Sequence, residues 1–130
     1  MIVLDASVVV ALVLGLDGAE AVLQRIADPR VTLHAPHLLD VEVAQVVRRY
    51  AAGREVTTRR AAEALDDLAG LDIERYGHTP LLGQVWALRR NLTAYDAVYV
   101  ALAMAIDAPL LTFDDRIARA PGLRVTVERP

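Results

Sequence analysis

Short unbroken apolar runs alternate along the chain with longer stretches whose apolar residues recur at helical spacing. Ile2-Val3-Leu4 ends at Asp5 and reads as a first buried strand. Ala6 to Leu14 continues as an apolar helix that Gly15 stops. Asp17-Gly18 opens a second helix to about Ala27, closed by Asp28-Pro29, and Thr32 to Ala35 is the next strand. Pro36 leads into a helix reaching about Ala52, with Gly53 placed to cap it. Thr57 or Thr58 begins another, running to Gly70 with Ala61, Ala64, Leu65 and Leu68 on one face, and Leu71 to Tyr76 is a weak strand. Thr79-Pro80 has the form of a cap followed by Pro at the first helical position, predicting a helix over Leu81 to Arg90. A short helix from Asp115 to Ala120, a Pro121-Gly122 turn and a strand over Leu123 to Val127 close the chain.

Between these lies the stretch around which the rest is organised, Leu92 to Asp115. From Ala94 to Ile106 the only charged residue is Asp96, and a helix apolar on nearly every side is a buried one. Its single acid sits in the first turn, where the positive end of the helix dipole favours an anion. Asp107-Ala108-Pro109 ends the helix, because Pro cannot continue it and restricts the residue before it. Leu110-Leu111 makes a short strand, with Thr112-Phe113-Asp114-Asp115 at its C-terminal end. Strands alternating with helices predict an α/β sandwich around a parallel sheet, and such sheets present their C-terminal strand ends to the ligand crevice.

Composition narrows the field. The 130 residues fit one domain, and 55% apolar content excludes a disordered chain. No apolar run approaches the roughly 20 residues a bilayer span needs, and the start lacks a secretory leader, so a cytoplasmic location without a membrane is expected. Cysteine is absent, which removes disulfides and thiolate metal sites. Every one of the 14 basic residues is Arg, against 17 acids and a net charge of −3. That balance does not advertise a nucleic-acid binder, but it suits a protein that concentrates carboxylates at a cation site. Without a Lys, aspartyl-phosphate chemistry of the haloacid-dehalogenase or receiver kind is not expected. His34, His37 and His78 lack metal-ligand spacing, with the first two flanking Pro36 in what reads as a loop. No Gly-rich phosphate loop or nucleophile elbow is present. Trp86 and the four Tyr read as core or interface packing rather than base-stacking platforms.

Four carboxylates stand out, each with a plain alternative. Asp5 either caps the helix that follows it or, if Ser7 caps instead, is free for other work. Glu42 borders the apolar stripe of its helix beside Leu38, Leu39 and Val46, and Gln45 and Val46 offer no intrahelical cation. An acid turned towards a core needs a partner or a metal. Asp96 completes a capping-box-like Thr93-x-x-Asp96 but likewise lacks a local cation. Asp114 and Asp115 either cap the short helix after them or serve the site, one in each role. Glu20, Glu55, Glu63, Glu74 and Glu128 read as solvated surface charges. Carboxylates gathered at one edge repel unless a cation intervenes or one is protonated, and oxygen-only ligands suit Mg²⁺ or Mn²⁺. The residues therefore predict metal-assisted phosphodiester hydrolysis.

Val3-Leu4-Asp5-Ala6-Ser7-Val8, Pro36 to Ala44 with Glu42, Thr93 to Ala103 with Asp96, and Leu110-Leu111-Thr112-Phe113-Asp114 follow one another at spacings that resemble the PIN-domain ribonucleases, in particular the VapC toxins of bacterial toxin–antitoxin pairs. The resemblance covers nearly the whole chain. It implies a three-layer α/β/α sandwich with a central parallel sheet over residues 1–130, and a Mg²⁺- or Mn²⁺-dependent endoribonuclease cutting transfer or ribosomal RNA by metal-activated water attack. It assigns Asp5, Glu42, Asp96 and Asp114 to the metal site, with Ser7 and Thr112 as supporting hydroxyls and Asp115 as ligand or supporting partner. It also implies a homodimer neutralised by a VapB-type antitoxin, for which Ala6–Leu14 and Ala21–Ile26 offer apolar surface. Arg116 is expected to help hold the phosphate. Two other readings remain: a PIN-fold binding module with a degraded site, which four retained acids argue against, and a flap-type DNA nuclease, for which the chain lacks the extra length.

Overall fold

The computed structural model describes all 130 residues. Five parallel strands, β1 (Ile2–Leu4), β2 (Leu33–Pro36), β3 (Ile73–Tyr76), β4 (Leu110–Leu111) and β5 (Val127–Glu128), form one sheet in the order β3-β2-β1-β4-β5. β1 is central, and all three of its residues are buried, as expected of a strand covered on both faces. Seven helices flank the sheet: α1 (Ala6–Leu14), α2 (Ala19–Ile26), α3 (Leu38–Ala52), α4 (Thr58–Gly70), α5 (Leu82–Ala87), α6 (Ala94–Ala105) and α7 (Asp115–Ala118). α1 packs with α2, α3 and α4, while α6 packs with α5 and against β1, β2 and β4. The α/β sandwich expected from the alternation is the one observed.

α6 anchors the core. Every residue from Ala97 to Ala103 is buried, so the helix is enclosed all round as its composition requires. α1 is enclosed almost as fully and ends where Gly15 adopts φ 64° and its N–H bonds back to Ala11. Gly18 sits at φ 88° against the Phe113 ring, 2.7 Å from where a Cβ would stand, so both backbone and packing require glycine there. No single helix is long and apolar enough to cross a membrane.

Several details differ from the sequence reading. Gly53 ends α3 but keeps φ −78°, and Arg54 takes the left-handed turn at φ 58°. Thr79 begins a single 3₁₀ turn with Pro80 inside it, and α5 starts only at Leu82 and stops at Ala87 rather than Arg90. The last strand is Val127–Glu128, beyond the Leu123 start expected, because pairing with Leu110 and Leu111 fixes its register. His34 lies within β2, as the strand reading of Thr32 to Ala35 expects and against the loop reading of the His34/His37 pair, with its ring buried and bonded to Thr32 Oγ1 and Tyr76 Oη at 2.8 Å each.

The sheet order places a topological switch at β1. The chain leaves β1 for β2 and β3 on one side and returns to β4 and β5 on the other. Asp5 N–H donates to the Leu111 carbonyl, which brings Asp5 and Thr112 side by side at the C-terminal strand ends, where such sheets open a crevice.

Candidate active site

The crevice is built on Asp5, which is 4% exposed. It caps α1 by accepting from Ser7 N–H, yet the same Oδ2 also accepts from Ser7 Oγ at 2.7 Å and Thr112 Oγ1 at 2.8 Å. The sequence alternatives of cap or site residue are thus not exclusive, and Ser7 supports rather than replaces Asp5. The two hydroxyls also accept: Phe113 N–H donates to Ser7 Oγ and Asp114 N–H to Thr112 Oγ1, both at 2.9 Å. One lattice thereby ties the β1–α1 turn to the β4–α7 turn. Every one of these bonds to Asp5 falls on Oδ2, which leaves Oδ1 without a hydrogen-bond partner in the protein.

Glu42 and Asp96 arrive from α3 and α6. Glu42 is half-buried, and desolvation together with the Asp5 charge pushes its carboxyl up to about 7, with Asp96 adding to the rise. Tyr99 opposes the shift by donating its hydroxyl to Glu42 Oε2 at 3.2 Å. Tyr99 is fully buried one turn after Asp96, and burial beside these carboxylates raises its own pKa. Sequence reading placed it with the other tyrosines as core or interface packing, and Tyr99 is in the core. Its spacing from Asp96 on a buried helix was the available signal that its hydroxyl needed a partner. Asp96 is also raised, first by burial; Arg116 opposes this, while Asp114 and Asp5 reinforce it. Thr93 Oγ1 accepts from Asp96 N–H at 3.2 Å, so Thr93 caps α6 and the Asp96 carboxylate is left for the crevice.

The last pair of acids separates by direction. Asp114 caps α7 through Arg116 N–H and carries a bidentate pair with the Arg116 guanidinium, closest at 2.7 Å. That pair holds the Asp114 carboxyl below the usual range. Asp115 is exposed and pairs with Arg119 and Arg129. Neither acid is free, but Asp114 is the one whose charge is felt at Asp96. Glu128 is not a solvated charge either, since Arg25 grips it with two bonds of 2.6 and 3.0 Å.

By chemistry the residues fit a hard divalent cation: four carboxylates, two of them, Glu42 and Asp96, disfavoured as anions by burial and by neighbouring carboxylates. By spacing they stand apart, and no three acidic or histidine side chains are drawn to coordination distance. Arg116 already neutralises Asp114.

A family model described as the PIN domain matches residues 2–123. The chain is 48% identical to Ribonuclease VapC1 of Mycobacterium tuberculosis over 93% of its own length and 91% of that protein's. The chain belongs to the PIN-domain family, on its VapC branch. Ribonuclease VapC9 of the same organism shares 42% identity, covering 91% of this chain and 89% of the relative. Among solved structures, this PIN domain superposes on VapBC2 from Rickettsia felis bound to a DNA fragment from their promoter, with TM-score 0.70, 16% identity and coverage of 99% and 98%. It superposes equally on the sarcin-ricin loop cleaving toxin VapC20 of Mycobacterium tuberculosis, with TM-score 0.70, 18% identity and coverage of 97% and 99%. Both likenesses bear on the fold, which is that of the PIN domain.

Proposed function

We propose that the chain is a cytoplasmic VapC-type toxin, a Mg²⁺- or Mn²⁺-dependent endoribonuclease that cuts structured cellular RNA and is neutralised by a VapB-type antitoxin. The observation that carries the reading is that β1, α3 and α6 bring Asp5, Glu42 and Asp96 to one sheet edge at the topological switch, near enough that the Asp5 charge is felt at both Glu42 and Asp96. Identity of 48% to a VapC ribonuclease over nearly the whole chain supports the same substrate class.

Asp5 Oδ1, Glu42, Asp96 and Asp114 would hold the divalent ion. When bound, it lowers the pKa of a water and offsets the charge that builds on the phosphate. The chain's own residues do the rest. Ser7 and Thr112 fix the Asp5 carboxylate through Oδ2 and leave Oδ1 for the ion. Tyr99 positions Glu42 by donating its hydroxyl to Oε2. Without the ion the Glu42 carboxyl lies near 7, so Glu42 gives up a proton to join the site. Arg116, 74% exposed at the rim, exchanges its bidentate partner Asp114 for a phosphate oxygen when RNA enters. The antitoxin segment lies in the groove of about 440 Å³ formed by Leu12 and Val13 of α1, Leu23 and Ile26 of α2, and Asp66 and Asp67 of α4. α1 itself offers little surface, which narrows the apolar face expected from the sequence to Leu12 and α2.

The test is cleavage of total RNA by the antitoxin-free protein in Mg²⁺, Mn²⁺ and EDTA, with Asp96→Asn as matched control. Metal-dependent cuts absent from the variant support the reading. Cleavage that persists in EDTA or in Asp96→Asn overturns it. Arg116→Ala should lower cleavage and RNA affinity together, and a variant unchanged in both would remove Arg116 from the phosphate-binding role.

A further inference from the structure

Resting on that nuclease reading, we infer that Arg116 is the counter-ion of the unloaded site, a latch that keeps Asp114 out of the coordination set until a phosphate draws the guanidinium away.

The pairing is complete. Asp114 Oδ1 accepts from the Arg116 backbone N–H at 2.8 Å and from Nε at 3.1 Å. Oδ2 accepts from Nε at 3.2 Å and from Nη2 at 2.7 Å. Those contacts match the roughly four lone-pair sites of a carboxylate, so the group has none to offer a cation while the pair is closed. The pair is also local: capping α7 holds the Arg116 backbone against the carboxylate, and the side chain folds back onto the same oxygens. Among the four site acids, Asp114 alone is within salt-bridge distance of an Arg. Glu42 receives the Tyr99 hydroxyl, and Asp5 keeps Oδ1 without a partner.

The guanidinium reaches beyond Asp114. Its charge is felt at Asp96 and at Asp5, and it is the one cation that opposes the rise at Asp96. Arg116 therefore supplies positive charge that the carboxylates otherwise lack, and a divalent ion that enlists Asp114 has to displace it. The latch is weak enough to open, because Arg116 is 74% exposed and such a pair is screened by water and salt. Opening leaves α7 capped, since the cap bond comes from the backbone N–H and not from the guanidinium. Phosphate competes for the guanidinium fork in the same bidentate geometry as a carboxylate. RNA at the rim thus takes Arg116 and releases Asp114 in one exchange. The fourth ligand joins on substrate and not before it.

The test is isothermal titration of the full chain with Mn²⁺, without RNA, in the parent, Arg116→Ala, Asp114→Asn and the double variant. Asn keeps the cap of α7, so the Asp114→Asn forms fold as the parent does. Arg116→Ala should bind Mn²⁺ about three- to tenfold more tightly than the parent, although it has lost its phosphate contact. In the Asp114→Asn background the same change should alter affinity by less than about twofold, because no carboxylate is left to release. An equal gain in both backgrounds makes Arg116 a through-space repulsion and overturns the latch, as does no gain in either. Cleavage of total RNA by the parent, with Mn²⁺ affinity unmoved in Arg116→Ala, leaves the nuclease reading standing and removes the latch. Tighter Mn²⁺ binding that needs Asp114, in a protein that cuts no RNA, does the reverse. No Mn²⁺ binding by the parent or by Arg116→Ala overturns both.

Discussion

Glu42 shows how a single residue can serve function at the expense of stability. Its carboxyl is raised from an ordinary 4.5 to about 7, so the folded protein binds a proton more tightly there than the unfolded chain does. The stability tied to that proton is fully present below about 4.5 and is lost as pH rises through about 7. In EDTA, the stability gap between Glu42→Gln and the parent protein should therefore widen from about pH 5 to about pH 8, where the variant is the more stable by about 1–3 kcal/mol. The same variant should be inactive in cleavage. Urea denaturation at the two pH values decides it, and an equal destabilisation at both would contradict the assignment of the shift to buried charge. His34 titrates in the opposite sense. Burial lowers its pKa from 6.5, so its contribution is present above that value and fades as pH falls below it. The difference between variant and parent at Glu42 is free of that background.

At the scale of elements, the hydroxyl lattice joins two turns that are far apart in sequence. Thr112→Val keeps shape but removes a donor to Asp5 Oδ2 and strips Asp114 N–H of its acceptor, at a fully buried position. Leaving buried polar groups unpaired costs about 1–3 kcal/mol, and the thermal midpoint should fall accordingly while Thr112→Ser recovers most of it. On α2, Leu23 is 55% exposed beside Asp66 and Asp67. Leu23→Arg should abolish capture by a VapB-type antitoxin and leave total-RNA cleavage intact, as co-purification and the cleavage assay would show. The elements themselves were largely legible in the sequence. Gly15, Asp28-Pro29, Thr57 and Asp107-Ala108-Pro109 act through local sterics and capping that travel with the residues. The failures came where tertiary contact overrides local preference. β5 takes its bounds from pairing with β4, and the segment after Thr79 curls into a 3₁₀ turn before α5 begins. The 68% exposure of Trp86 was illegible for a related reason: an aromatic at helical spacing looks the same in sequence whether a neighbour covers it or not.

At the scale of the molecule, the acids were legible one by one as capping or stripe-edge anomalies, but their meeting was not, because strand order is a long-range property. It is the order β3-β2-β1-β4-β5 that brings the end of β1, the start of α3, the start of α6 and the turn after β4 to one edge. Those four pieces span residues 5 to 114, so a cation shared by their carboxylates clamps nearly the whole chain and has no equivalent site in the unfolded state. Such a ligand stabilises by mass action, about 2.7 kcal/mol at a hundredfold excess over its Kd, or roughly 10 °C in Tm for a domain of this size. Mg²⁺ or Mn²⁺ should raise Tm in a saturable manner in the parent protein and not in Asp96→Asn. The increment should be larger above about pH 7 than below it, because Glu42 must lose its proton to become a ligand. A cation effect of equal size in Asp96→Asn would place the ion elsewhere on this acidic surface and separate the carboxylate cluster from metal binding.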